Sequence, residues 1–215
     1  MLKCGSTYVR SVYIVGSAIS GEFIKGFSDI DFLVFISKDE YCFVRKGLIS
    51  MVIIPHPALT GNLIFEGLVV RKPLNISTYA FLLSPKKLIY GEDITKYLKP
   101  TRPNQAEYRD WVTIRYFGAY LGLTLNDWRR VCKNYIKLLW AKLLMTGYTV
   151  RFSLHEIIYE ALRHDIIGNE EFYELIDCLS HGGDEHIAKK YFDKIENEFI
   201  NGAGGGIRTR APRKG

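Results

Sequence analysis

Cysteine is scarce in this 215-residue chain: Cys4, Cys42, Cys132 and Cys178 lie far apart, with no C-x-x-C pair. That spacing argues against a zinc ribbon and fits a reducing compartment. No apolar run approaches the roughly 20 residues of a membrane span, and no charged-then-apolar leader precedes the first β-rich segment. A cytoplasmic protein with no membrane partner is the expectation. Proline is absent from Gln105 to Ile200, which leaves that half free to be helical. What is present is a 47% hydrophobic, 24% charged composition, enough for one domain or two small ones, and this excludes a disordered chain or a disulfide miniprotein.

The first hundred residues read as an α/β (α+β) sheet domain, residues 1–100. Ser11 to Gly16 is β-rich and ends at a glycine, and Ile30 to Ile36 is apolar enough for a central strand buried on both faces. Pro55 and Pro57 predict a loop over Ile54 to Thr60, and Leu63 to Val70 predicts a third strand. A helix over Ile76 to Leu83 and a short strand over Lys87 to Tyr90 complete the domain.

After the Pro100-Thr101-Arg102-Pro103 break, apolar residues recur at helical spacing, predicting an all-α bundle over residues 104–200. Trp128, Val131, Tyr135, Leu138, Leu139 and Leu143 form one helix face, while Arg129, Lys133 and Lys137 form another, read as a solvated stripe. Gly147 is expected to stop that helix, Ser153 with Glu156 to cap the next, and Gly168 to end it. His181, Asp184, Glu185 and His186 read as a helix-to-helix turn rather than a metal site. Residues 201–215 have no apolar period and are expected to be a disordered basic tail. Gly206-Ile-Arg-Thr-Arg210 can be encoded by the reverse complement of a tRNA-gene stem-loop, so a frame running into an antisense tRNA gene is the expected source. Four of the 29 basic residues lie in that tail and no acid does, so most of the net charge of +6 belongs to it. Nucleic acid is therefore not the expected partner.

The stretch that carries chemistry is VGSAISGEFIKGFSDIDFLVF, residues 15–35. Gly16-Ser17 is followed, after eleven intervening residues, by Asp29-Ile30-Asp31. On a strand, residues i and i+2 share a face, so both carboxylates project together with Cα atoms about 6 to 7 Å apart. Two such carboxylates can hold a pair of Mg²⁺ ions about 3.5 to 4 Å apart, the arrangement that clamps an in-line transfer at phosphorus. Glycine lets a phosphate approach the backbone, and the serine hydroxyl and following amides donate to its oxygens. A two-metal site usually wants a third carboxylate. Between Asp31 and the break only Glu66 falls in a predicted strand, where an acid among Leu63-Ile64-Phe65 and Leu68-Val69-Val70 is costly unless paired or metal-bound. Glu66 is the expected third ligand or general base.

Gly-Ser…Asp-x-Asp between two apolar strands resembles the nucleotidyltransferase superfamily that includes DNA polymerase β. Within it the chain looks most like small two-domain enzymes similar to aminoglycoside nucleotidyltransferases. The resemblance implies transfer of NMP, AMP for preference, from an NTP to an acceptor hydroxyl of a small molecule or protein, with release of pyrophosphate. Asp29, Asp31 and Glu66 are the implied metal and catalytic residues, and Gly16 and Ser17 the implied nucleotide contacts. The family's lysine after the break in the helical domain is unmatched, and Arg151 is the nearest cation for that nucleotide contact. The family usually has a leading helix where only ten residues precede Ser11, so a start further upstream is expected. Two alternatives stand beside this. One is a toxin-antitoxin-type nucleotidyltransferase modifying a partner protein, although those commonly carry arginine where this chain has Ser20. The other is a non-catalytic nucleotide-binding module.

Overall fold

The computed structural model describes residues 8–21, 28–39, 41–60, 63 and 74–201. The chain divides into two compact units, Met1–Arg102 and Pro103–Gly215. The first is built on a five-stranded mixed sheet and the second is helical, so the fold is α/β followed by an all-α region.

In the first unit the strands are β1 (Val9–Val15), β2 (Ile30–Ile36), β3 (Cys42–Lys46), β4 (Ile49–Pro55) and β5 (Lys86–Gly91). Their order across the sheet is β3-β4-β2-β1-β5, which makes β2 the middle strand, as its apolar sequence predicts. β1 runs antiparallel to β2 and β5, β2 runs parallel to β4, and β3 is antiparallel to β4. Alternation decides the faces: Tyr13 and Val15 of β1, Leu33 and Phe35 of β2 and Ile54 of β4 all point into one core. Helix α3 (Asn75–Leu83) supplies Phe81 to it, and the 3₁₀ turn Ile94–Tyr97 supplies Ile94. Two short helices, α1 (Ser17–Ser20) and α2 (Pro57–Thr60), occupy connections.

The loop expected over Ile54 to Thr60 is in part a strand and a helical turn. Pro55 ends β4 opposite Ile36, where its missing N–H costs no ladder bond, and Pro57 opens α2, where helices tolerate proline. Of the third strand expected over Leu63 to Val70, Leu63 forms a single bridge with Leu74; residues 64–70, Glu66 among them, lie outside the described residues.

At the end of the sheet where β2 finishes, charges interlock. Glu92 pairs with Arg10 and with Lys96 at 2.8 Å, and Tyr97 donates its hydroxyl to the same carboxylate at 2.6 Å. These contacts, those from Lys96 and Tyr97 foremost, hold the Glu92 carboxyl down at about 2. Tyr13 donates to Asp93 and accepts from the Ile94 amide. His56 is fully buried here with its Nδ1 accepting from the Ala58 amide; burial pushes its pKa down, with help from Arg10. Gly91 turns the corner at φ +79°, and a Cβ there would come within 1.8 Å of the Arg10 carbonyl oxygen.

The second unit contains α4 (Gln105–Thr124), α5 (Trp128–Thr146), α6 (Leu154–Arg163), α7 (Asn169–His181) and α8 (Glu185–Lys194), with a π-type turn over Ile195–Ile200. A reciprocal Asn104–Glu107 capping box opens α4. α5 is the central helix, packed against α4, α6, α7 and α8. It is therefore buried nearly all round, and the predicted solvated stripe fails at Arg129, which is 8% exposed. Gly147 ends α5 in the left-handed conformation, as predicted. Ser153 stands at the α6 N-cap without a capping bond from its side chain, and α6 ends at Arg163, before Gly168, which instead precedes α7. His181 pairs with Asp177 and Asp184 caps α8, the expected turn between helices. Cys132 of α5 and Cys178 of α7 form a disulfide, so the cysteine argument for a reducing compartment no longer holds. Among the described residues no helix is long and apolar enough to cross a membrane. Residues 202–215 lie outside the described residues.

Candidate active site

The carboxylate of Asp31 lies against the Gly16-Ser17 turn. Register explains why: Val15, the last residue of β1, stands opposite Asp31 on β2, so the turn that leaves β1 passes beside that side chain. Gly16 takes φ +74° and ψ −149°, a region essentially restricted to glycine, and its carbonyl accepts from the Ile19 and Ser20 amides to close α1. A Cβ on Gly16 would stand 3.3 Å from Asp31 Oδ2. The absent side chain lets the Asp31 carboxylate lie close against the backbone.

Asp29 immediately precedes β2 and lies two residues from Asp31, so the two acids share the face that further along carries Leu33 and Phe35. The burial of β2 grades along its length: its far half is buried, while Ile30 to Phe32 are half-buried. The two acids thus sit at the rim of the core, where an ionised carboxylate keeps part of its hydration. Arg45 reaches Asp29 from β3, its Nη2 3.0 Å from Oδ2 and 3.2 Å from Oδ1. Ser50 of β4, 7% exposed, is in register with Asp31 on one side and with Arg45 on the other. Arg45, Ser50 and Asp31 therefore form one row across the sheet, on one face. Lys86 of β5 ends the same row beyond Val15, but its ammonium donates to the Leu82 carbonyl and lies over the Phe81 ring.

The nucleotidyltransferase domain family, compared through its model, matches residues 3–107. Residues 3–107 are a nucleotidyltransferase domain. The match takes in the whole sheet and ends just inside α4, leaving the rest of the helical unit outside it. No curated protein matches the chain.

In this nucleotidyltransferase domain Gly16 and Asp31 lie against each other, Ser17 follows Gly16 at the start of α1, and Asp29, two residues before Asp31, pairs with Arg45. Glu66 lies outside the described residues, and no group of three or more His, Cys, Asp or Glu side chains suited to a metal converges among the described ones. β4, the neighbour of β2, offers Ser50 rather than an acid beside Asp31. Arg151 belongs to the helical unit, in the connection between α5 and α6, where it pairs with Glu156 at 3.2 Å. Sequence reasoning missed Arg45 and Ser50. The signal was the apolar, β-rich run of Ile49 to Ile54, obscured by the two prolines that drew attention to a loop.

Proposed function

We propose that the nucleotidyltransferase domain transfers AMP from ATP to an acceptor hydroxyl in a Mg²⁺-dependent reaction that releases pyrophosphate. The observation that carries this reading is the Asp31 carboxylate against the Gly16 backbone, with Asp29 on the same face, in a domain of this family. Two hard-oxygen side chains beside a glycine backbone fit a divalent cation that arrives with a nucleotide's phosphates. Asp29 and Asp31 would hold Mg²⁺, which when bound neutralises developing charge on the phosphate oxygens. The Ser17 hydroxyl and the amides after it hold the β and γ phosphates. Glu66 completes the carboxylate set or takes the proton from the acceptor. In the transfer the acceptor oxygen bonds to the α phosphorus, the bond from that phosphorus to the bridging oxygen breaks, and pyrophosphate departs with those electrons.

The chemistry is positioning plus charge neutralisation, so it depends on the carboxylates far more than the fold does. The test is incubation of the chain with ATP labelled at the α phosphate, Mg²⁺ and a panel of hydroxyl compounds and proteins. Label is expected on an acceptor, together with pyrophosphate. Retention of ATP-dependent pyrophosphate release by Asp31→Ala overturns the assignment.

A further inference from the structure

Arg45 sits on an edge strand whose residues are mostly exposed, and its side chain is 61% exposed, yet it is drawn across β4 to an acid beyond β2's neighbour. As a stability device this is poor, because exposed ion pairs contribute little. Its position says more. The Arg45–Ser50–Asp31 row is continuous, Ser50 is buried beneath the guanidinium's path, and the pair closes on one of the two carboxylates proposed to hold metal. An arginine within 3.0 Å of Asp29 Oδ2 is within reach of any phosphate oxygen brought to that carboxylate by a cation.

We infer that Arg45 is a phosphate-contacting residue that changes partner: it pairs with Asp29 and turns onto the triphosphate when the nucleotide arrives with its cation. The inference rests on the metal reading above. Two physical points support the exchange. Asp29 cannot give the same oxygen lone pairs fully to both a guanidinium and a divalent ion, so the two compete for it. The planar guanidinium, once released, matches phosphate oxygens with paired N–H donors. Exposure makes the exchange cheap, because breaking a solvated pair costs little. The consequence is a sign reversal: Arg45 opposes binding of a bare cation and favours binding of a cation with nucleotide.

The test uses the full chain and two titrations: Mn²⁺ alone, followed by electron paramagnetic resonance, and α,β-methylene-ATP with saturating Mg²⁺, followed by calorimetry. Arg45→Gln is expected to bind Mn²⁺ alone about 3- to 5-fold more tightly, the size of an exposed ion pair. It is expected to bind the nucleotide analogue about 10-fold more weakly, the size of a charged hydrogen bond. Arg45→Lys retains the charge without the fork, and is expected to fall between wild type and Arg45→Gln in both titrations. Thermal melts establish that the variants fold. Unchanged nucleotide binding, or Mn²⁺ binding that weakens or stays the same in Arg45→Gln, overturns the inference while leaving the metal site standing. Asp31→Asn separates the two readings: if wild type and Asp31→Asn bind Mn²⁺ equally or not at all, the metal site itself fails and the inference with it.

Discussion

The two ends of the sheet use charge for different ends. Where β2 finishes, Glu92 receives Arg10, Lys96 and the Tyr97 hydroxyl, and the Gly91 corner brings β5 so close to β1 that no side chain fits between them. Where β2 begins, Asp29 meets one largely exposed arginine, and Gly16 lets the Asp31 carboxylate lie close against the backbone. The first end saturates its acid and closes around it. The second keeps two acids at a half-buried rim, one of them paired with an exposed arginine. Saturation fits a frame, and an exposed, exchangeable ion pair at Asp29 fits a place where a charged ligand comes and goes.

The sharpest way to break the contrast is to neutralise one acid at the open end. Asp31→Asn keeps shape and volume while removing the charge. Transfer activity is expected to fall about 10³-fold, the scale on which removing one electrostatic contact to the transition state acts. Stability should change by no more than about 1 kcal/mol, as for most substitutions at partly exposed sites. Turnover and a chemical denaturation curve on the same preparation check both halves; a large stability loss would mean that this end, too, is frame.

The two glycines give the next comparison. Gly91→Ala drives a Cβ into the Arg10 carbonyl and forces the strands apart, with an expected stability loss of about 3 kcal/mol or more. Gly16→Ala meets backbone strain and the tip of a carboxylate that can swing, so its stability loss should be smaller, about 2 kcal/mol. Its turnover should fall about 10²-fold, because Asp31 is displaced. Denaturation midpoints and initial rates for both variants decide whether the ends differ in the way described.

This division was partly legible in the sequence. The apolar density of Ile30 to Ile36 placed β2 at the middle of the sheet, and Gly16-Ser17 with Asp29-Ile30-Asp31 announced the open end, because these features are local and periodic. β3 and β4 were not read, since Pro55 and Pro57 imitate loop punctuation while one of them ends a strand and the other opens a helix turn. Arg45 was invisible for a related reason: its meaning lies in the register of β3 on β4 and β4 on β2, a long-range property with no local signature. The Cys132–Cys178 bond was hidden in the same way by 46 residues of separation across two helices. Arg129 reads as part of a polar stripe until four helices surround α5.

The smallest effect, and the most specific to the closed end, is its response to acid. Glu92 is held at about 2 in the folded chain against an ordinary value of 4.5. A carboxyl whose folded value is depressed stabilises the fold wherever it is ionised in both states, and that contribution drains away as pH falls from the unfolded value through the folded one. Wild type should therefore lose stability progressively between about pH 4.5 and about pH 2 through this group. Asp93, held low by the Thr95 amide, adds to the same acid response, and so does Glu174 in the helical unit, held low by Lys190 and Tyr191. The Glu92 share is isolated by difference. Glu92→Gln should be less stable than wild type at pH 7, and the gap should shrink as the pH is lowered through that window. Denaturation curves of the two proteins at pH 7, 4.5 and 3 measure it, and a gap that stays constant would show that the Arg10, Lys96 and Tyr97 contacts do not depend on the charge of Glu92.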